Sequence, residues 1–165
     1  MIFNIRAIRL EDAAVYHSLV DEIKDEGQYL FSTLRFSLED TKKYIERHEE
    51  MSSPIWGAFD EQGTLLGWID FNRGGFSEIA HTAMLGMGVK KEFRGQGIGS
   101  ALMDACIENA ESLGIEKLEL EVFASNTAAR ALYIKKGFFE EGIRLKKRKF
   151  EDRYDDLVCM GLFLG

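Results

Sequence analysis

Short stretches of alternating apolar and polar residues recur along the chain, and this period of two is typical of strands with one buried face. It predicts strands at residues 2–8, 55–59, 64–71, 79–89, 115–123, 138–150 and 154–164. Elsewhere apolar residues are three or four positions apart, which predicts helices at residues 11–25, 37–50, 98–113 and 126–137. The order is β-α-α-β-β-β-α-β-α-β-β. We expect an α/β (α+β) fold, a single domain over residues 1–165 with a mixed central sheet of about seven strands flanked by about four helices.

Residues at the predicted helix ends support this order. Ser37 can accept a hydrogen bond from the first turn of the second helix, and Asp40 stands at the acidic position three residues further on. Pro54 stops that helix, because proline cannot continue it. Gly114 ends the third helix, since glycine is the usual residue just beyond a helix end.

Composition narrows the class of protein. The chain has 165 residues, 45% hydrophobic and 30% charged, which suits one soluble globular domain. Its net charge of −7 opposes nucleic-acid binding and mildly favours a cationic partner such as an amine. The first residues lack the pattern of a signal peptide, and no apolar run approaches a membrane span, so we expect no membrane association. Cys106 and Cys159 form no metal-type pair, and we expect a reduced, cytoplasmic protein without a metal.

Three glycines alternate where a predicted strand passes into the third predicted helix, in the run Arg94-Gly95-Gln96-Gly97-Ile98-Gly99. Glycine lets a backbone approach a ligand closely and adopt positive φ. The first N–H groups of a helix have no partner within it and carry partial positive charge. This turn therefore predicts a phosphate-binding site.

Two common phosphate sites fit the chain poorly. The P-loop string of glycine, four residues and Gly-Lys-Ser/Thr does not occur. The dinucleotide fingerprint comes closer, because Gly95 and Gly97 match it, Ser100 stands at its third glycine, and Glu119 or Glu121 lies about 20 residues further on. However, antiparallel-looking strands precede the turn and only one helix follows the next strand, so a doubly wound sheet cannot be completed.

The run Arg94-x-x-Gly97-x-Gly99 resembles the Arg/Gln-x-x-Gly-x-Gly/Ala motif of the GNAT superfamily of N-acetyltransferases. Three further segments resemble the family's second cofactor motif: Leu118-Glu-Leu-Glu-Val122, Asn126-Thr-Ala-Ala129-Arg-Ala-Leu-Tyr133 and Lys136-Gly137-Phe138. The resemblance covers nearly the whole domain and is most specific from Leu85 to Phe138. It implies acetyl-CoA as co-substrate and transfer of the acetyl group to a primary amine of a small molecule or peptide, by direct attack on the thioester.

The resemblance also implies where acetyl-CoA lies. Two splayed parallel strands would hold it, with the backbone of Met87 and Val89 bonded to the acetyl-pantetheine arm. Backbone N–H groups of the turn would bind the pyrophosphate, from Arg94, Gly95, Gln96, Gly97, Ile98, Gly99 and Ser100. Asn126 and Ala129 would contact the cofactor from the last helix, although the N-cap role of Asn126 is a sufficient explanation for that residue.

Tyr133 resembles the general acid of the family, because a phenol with a pKa of about 10 is protonated at neutral pH and can donate to the departing sulfur. Its alternative role is a core aromatic residue beside Phe138. Many relatives carry a glutamate base where this chain has Met84. The remaining candidates for the base are a water chain and four side chains: His81, Glu78, Asp70 and Glu121. We select His81 for its suitable unperturbed pKa.

Two alternatives stay open at this point. The chain could be a non-catalytic acyl-CoA-binding or regulatory domain of the same fold, although Tyr133 favours an enzyme. A covalent acyl-cysteine route through Cys106 is disfavoured, since this residue falls on the apolar stripe of its helix.

Five aromatic residues are candidates for the acceptor cleft: Phe31, Phe36, Trp68, Phe76 and Tyr154. The resemblance also implies a homodimer formed through the C-terminal strands.

Overall fold

One sheet forms the centre of the computed structural model, which describes residues 1–30 and 34–165. The strands in these residues are β1 (Phe3–Ala7), β2 (Trp56–Asp60), β3 (Leu65–Arg73), β4 (Thr82–Val89), β5 (Lys117–Phe123), β6 (Phe139–Phe150) and β7 (Arg153–Phe163). The helices are α1 (Ala13–Asp25), α2 (Leu38–Glu50), α3 (Ile98–Ser112) and α4 (Thr127–Lys135). The predicted fold class, with its mixed sheet of seven strands and its four helices, is confirmed.

The sequence predicted most ends of the helices and strands correctly. The side chain of Ser37 accepts a hydrogen bond from the Asp40 N–H at 3.1 Å, and the Asp40 carboxylate accepts one from the Ser37 N–H at 3.1 Å. The strand predicted from residue 79 begins only at Thr82, because Ser77–Ile79 form a turn of 3-10 helix before it. None of the helices in the described part of the chain has the length and apolar character needed to cross a membrane.

The strands follow the order β1-β2-β3-β4-β5-β7-β6 across the sheet. Among the strands of the described residues, only the central pair, β4 and β5, is parallel, and each other neighbouring pair is antiparallel. The sheet is mixed because α3 carries the chain from β4 back to the start of β5. The glycine turn and the start of α3 therefore follow the end of β4, at the centre of the sheet.

The two parallel strands diverge along their length. Their pairing ends at Met84 of β4 and Glu119 of β5. Beyond that point β4 stays paired with β3 as far as Val89, whereas β5 stays paired with β7 as far as Phe123. A gap consequently opens between the carboxyl-terminal ends of β4 and β5, and the predicted splay of the parallel strands is confirmed.

The helices cover both faces of the sheet. Leu102 and Cys106 of α3 are fully buried in a cluster with Ile69 of β3. A second cluster joins α1 and α2 to Trp68 of β3. Because neighbouring residues of a strand point to opposite faces, Trp68 and Ile69 place these two layers on opposite sides of the sheet.

Candidate active site

A cleft of about 510 Å³ occupies the gap between β4 and β5, within the roughly 300–1,000 Å³ usual for ligand sites. It is lined by β4, the glycine turn, the start of α3, β5 and α4. The predicted cofactor-binding residues that line it are Met87, Val89, Arg94, Gly95, Gly97, Ile98, Gly99, Ser100, Asn126 and Ala129. Since the strand pairing of β4 with β5 has ended there, the edge of β4 facing the cleft has main-chain groups available to a ligand.

The three glycines of the turn serve two physical purposes. Gly95 and Gly97 have φ of +73° and +88°, a conformation that side chains disfavour, and Gly97 is the N-cap of α3. Gly99 is instead needed for close packing, since a Cβ there would lie 3.1 Å from the Leu132 side chain of α4. The first intrahelical bond runs from the Ala101 N–H to the Gly97 carbonyl, so the preceding N–H groups are available to an anion.

Arg94 joins this turn to the end of α1. Its guanidinium donates to both carboxylate oxygens of Glu26, at 2.8 and 2.5 Å, and its Nε donates to the Val89 carbonyl at 2.8 Å. The pairing with Glu26 raises the pKa of Arg94. Gln96 is exposed and its side chain donates to the Glu92 carbonyl, at 3.2 Å. The structure therefore places the Gln96 side chain outside the lining of the cleft.

The start of α4 faces the same cleft. Asn126 accepts a hydrogen bond from the Ala129 N–H at 3.2 Å, so its side chain is an N-cap as well as part of the lining. The Leu132 side chain lies against the glycine turn near Gly99. Residues 94–100 and the first turns of α4 are thus held together, although 25 residues of chain separate Ser100 from Asn126.

Tyr133 lines the cleft and also packs in the core. The residue is 7% exposed, and its ring lies 5.9 Å from the Phe138 ring, centroid to centroid. Burial raises the pKa of Tyr133 to about 12, so the phenol is protonated throughout the neutral range. Within residues 1–30 and 34–165 its hydroxyl has no hydrogen-bond partner. The two roles considered for this residue are compatible, and the hydroxyl is available to a ligand.

The structure does not bring His81 to the cleft, which corrects its selection as the base. His81 is exposed and immediately precedes β4, six residues before Met87, or roughly 20 Å along an extended strand. Its carbonyl accepts from the Glu116 N–H at 2.8 Å, at the end of the sheet where β4 and β5 are still paired. The intrinsic pKa of an imidazole makes it a suitable base only where the ring can reach the acceptor. Glu78 lies further back still, in the turn of 3-10 helix before β4.

The other two carboxylates lie near the cleft. Glu121 of β5 lines it and accepts a hydrogen bond from the Arg144 guanidinium at 2.6 Å. Asp70 of β3 pairs across the strands with Gly86, a residue of the cleft lining, and is buried beneath α2. Met84 is 43% exposed on β4.

The five aromatic residues predicted to line the acceptor cleft do not line it in the structure, as far as they are described. Of the five aromatic candidates, Phe31 lies outside the described residues and Trp68 is buried in the core, while three are exposed away from the lining: Phe36, Phe76 and Tyr154. Tyr29 and Leu30, which follow α1, line the cleft instead. Their only sequence signal is their position next to the predicted end of α1.

Burial raises the pKa of Cys106 to about 12, so its thiol is not a ready nucleophile.

A mixed sheet whose parallel strands diverge over a glycine turn is the arrangement expected of a GNAT acetyltransferase. The model of the Acetyltransferase (GNAT) family matches residues 16–138, and the chain therefore belongs to that family. YwnH of Bacillus subtilis (strain 168), named as a candidate phosphinothricin acetyltransferase, is 31% identical over 124 residues, or 74% of this chain and 76% of that protein. The ribosomal protein bS18-alanine N-acetyltransferase of Escherichia coli (strain K12) is 38% identical over 84 residues, or 51% of this chain and 57% of that enzyme.

Solved structures agree on the fold. The GNAT-family acetyltransferase of Streptococcus pneumoniae superposes with a TM-score of 0.93 at 24% identity, covering 99% of this chain and 100% of that chain. The phosphinothricin acetyltransferase (Pat) of Sinorhizobium meliloti, solved in complex with AcCoA, has a TM-score of 0.93 at 19% identity, covering 100% of this chain and 90% of that chain.

Proposed function

We propose that this protein transfers an acetyl group from acetyl-CoA to a primary amine, by direct attack of the amine on the thioester. One observation carries the proposal. The cleft between β4 and β5 joins a glycine turn suited to a pyrophosphate with a buried, protonated Tyr133 on its other side. The acetyl-CoA complex of the Sinorhizobium meliloti structure supports the choice of co-substrate.

The residues of the cleft fit acetyl-CoA by their chemistry. The N–H groups at the start of α3 suit the two negative charges of a pyrophosphate, and the positive end of the helix dipole adds to this attraction. The free edge of β4 at Met87 and Val89 suits the amide groups of a pantetheine arm, which can bond to a strand edge as another strand would. Tyr133 would donate to the departing sulfur.

The acceptor must lose a proton before it can attack. A lysine-type ammonium has a pKa of about 10.4, so forming the free amine at pH 7 costs about 4.6 kcal/mol at about 1.36 kcal/mol per pH unit. An α-amino group, with a pKa of about 7.8, costs only about 1 kcal/mol. A proton acceptor near the cleft consequently matters more for a lysine-type amine than for an α-amine.

The proposal also covers the class of acceptor, the location of the protein in the cell and its oligomeric state. The acceptor would be a small-molecule or peptide amine, favoured by the net charge of −7, and the reaction would take place in the cytoplasm. Support for a homodimer through the C-terminal strands comes from the exposed edge strand β6, where Ile143 and Leu145 are 53% and 77% exposed.

Calorimetry and a transfer assay test the proposal together. We expect acetyl-CoA to bind with a Kd on the order of micromolar and NAD not to bind. CoA release is then measured with a panel of amines, amino acids and peptides, and at least one should be acetylated. Binding without turnover on any amine would support the non-catalytic alternative. No heat with any acyl-CoA would overturn both interpretations.

A further inference from the structure

Asp70 is a buried carboxylate separated from the cleft by a single glycine. It is 6% exposed, and the register of β3 and β4 pairs it with Gly86. Gly86 is itself exposed and lines the cleft. A Cβ at Gly86 would lie 3.5 Å from Asp70 Oδ1, so the absence of a side chain there leaves this oxygen directly behind the cleft surface.

The other carboxylate oxygen, Oδ2, is held by α2. The Tyr44 hydroxyl donates to it in a short hydrogen bond. The Asn72 side-chain amide donates to the same hydroxyl at 2.9 Å, so the single proton of Tyr44 is directed to Asp70. This arrangement fixes the carboxylate with Oδ1 towards Gly86.

His48 supplies a second, unused proton-binding atom next to this carboxylate. Its Nδ1 lies 2.6 Å from the Ser53 carbonyl, which can only accept, so Nδ1 carries the hydrogen. In the neutral ring Nε2 then holds the lone pair. Nε2 is buried, lacks a hydrogen-bond partner among the described residues, and lies 3.7 Å from Asp70 Oδ2. A buried polar atom left without a partner calls for an explanation, and this one lies beside the Asp70 carboxylate.

The electrostatic surroundings of Asp70 favour proton uptake. Burial raises the pKa of Asp70, while the hydrogen bond from Tyr44 and the nearby His48 oppose that rise. Within the described residues, the titratable groups that interact electrostatically with Asp70 are Tyr16 of α1, Tyr44 and His48 of α2 and, from the opposite face of the sheet, Cys106 of α3. Burial and the charge of Asp70 together raise the pKa values of Tyr16, Tyr44 and Cys106, so all three remain neutral near pH 7.

We propose that Asp70 accepts the proton that the acceptor ammonium must lose before it attacks, an inference that rests on the acetyltransferase function proposed above. The N–H bond breaks, its electron pair stays on nitrogen, and the proton passes to Asp70 Oδ1 and later to solvent. The nitrogen pair then forms the C–N bond to the thioester carbonyl carbon. The C–S bond breaks, and the sulfur keeps its electron pair and takes up the second proton of the nitrogen, with the Tyr133 hydroxyl donating to it.

Asp70→Asn tests this step because it keeps the size of the side chain and an oxygen for the Tyr44 hydroxyl. At pH 7 we expect kcat/KM for a lysine-type amine to fall by about 100-fold or more. The acetyl-CoA Kd should stay within about twofold. The variant should regain activity as pH rises, by about tenfold per unit up to the pKa of the amine, since the free amine then forms without a base. With an α-amine as acceptor, the decrease in kcat/KM caused by Asp70→Asn should be smaller, because its ammonium form has a lower pKa.

Gly86→Ala provides a second test that does not depend on the stability of the first variant. The added methyl group would meet Asp70 Oδ1 at 3.5 Å, an ordinary contact, so the fold should persist. It would stand between the carboxylate and the cleft, and should lower kcat/KM for the acceptor without weakening acetyl-CoA binding. Gly75→Ala is the matched control, because a Cβ there meets no atom of residues 1–30 and 34–165 within 4 Å.

The outcomes separate this inference from the proposed function. If the wild-type protein acetylates amines and Asp70→Asn keeps both its rate and its pH profile, Asp70 is not the proton acceptor and the proposed function stands. A loss of activity that is equal at every pH would show a purely structural role and would also overturn the inference. If the wild-type protein acetylates no amine, the proposed function itself fails, and this inference with it. Should Asp70→Asn fail to fold, unchanged kinetics in Gly86→Ala would decide against it.

Discussion

Replacing Tyr133 with phenylalanine removes one oxygen atom from the cleft and leaves the rest of the ring in place. The ring keeps its contact with Phe138, 5.9 Å away between centroids, and remains buried. Because the lost hydroxyl has no hydrogen-bond partner in the described part of the chain, the free energy of unfolding should change by less than about 1 kcal/mol. The acetyl-CoA Kd should also change little.

The structure sets the size of the expected kinetic effect. Burial raises the pKa of Tyr133 to about 12, whereas an ordinary thiol has a pKa of about 8.5. Complete transfer of the phenol proton to a free thiolate would therefore be uphill by about 3.5 units, or roughly 5 kcal/mol. Tyr133 should instead act as a hydrogen-bond donor to the charge developing on sulfur. Such a bond contributes about 1.5–3 kcal/mol, which corresponds to a loss of roughly 10- to 150-fold in kcat.

The assay is the rate of CoA release at saturating acetyl-CoA, for the wild-type protein and Tyr133→Phe, between pH 6 and pH 10. Since the phenol stays protonated below a pKa of about 12, Tyr133 should impose no alkaline decline in this range. Equal kcat values for the two proteins would remove Tyr133 from the mechanism. A loss far above 150-fold, with unchanged acetyl-CoA binding, would refute the hydrogen-bond estimate in favour of complete proton transfer.

Three further predictions concern the glycine turn and the buried thiol. Gly97→Val should abolish acetyl-CoA binding in calorimetry, whereas Gly63→Val, which suffers similar strain at φ of +81° in the β2–β3 turn, should preserve it. Cys106→Ala should keep the wild-type turnover, and a thiol reagent at pH 8 should label Cys159 while Cys106 reacts only after unfolding. Burial raises the pKa of Cys106 from 9.0 to about 12. The stability that the neutral thiol contributes is therefore complete below pH 9 and is lost as the pH rises towards 12. Between pH 9 and pH 10 the melting temperature of Cys106→Ala should consequently fall less than that of the wild-type protein.

Most of the fold could be predicted because its signals are local. The apolar stripe of α3 and the reciprocal hydrogen bonds of Ser37 and Asp40 depend on residues three or four positions apart. The start of β4 was placed too early because Ile79 and Ala80 are as apolar as the strand that follows. The pattern of apolar and polar residues does not reveal the backbone hydrogen bonds that make Ser77–Ile79 a 3-10 helix.

The two halves of the candidate site differed in how far the sequence could predict them. Residues of the cofactor half lie in two continuous segments, and their conformation follows from glycine and from a helix start. The base depends on which residue of β3 lies opposite which residue of β4, and the sequence pattern does not state that register. A signal was present, since Asp70 is an acidic residue within the buried run Leu65 to Phe71. Such a residue needs a partner or a function.

Two glycines of β4 illustrate how one residue type serves separate purposes on the same face of a strand. A Cβ at Gly88 would lie 2.5 Å from the Trp68 ring, so Gly88→Ala must displace a buried side chain, at a cost of about 1–3 kcal/mol. Among the described residues, a Cβ at Gly86 meets only Asp70, at 3.5 Å, so packing does not explain the glycine there. Gly88 is required by the fold, whereas access to Asp70 accounts for Gly86. If Gly86→Ala proved as destabilising as Gly88→Ala, packing would explain both glycines and this argument for access would fail.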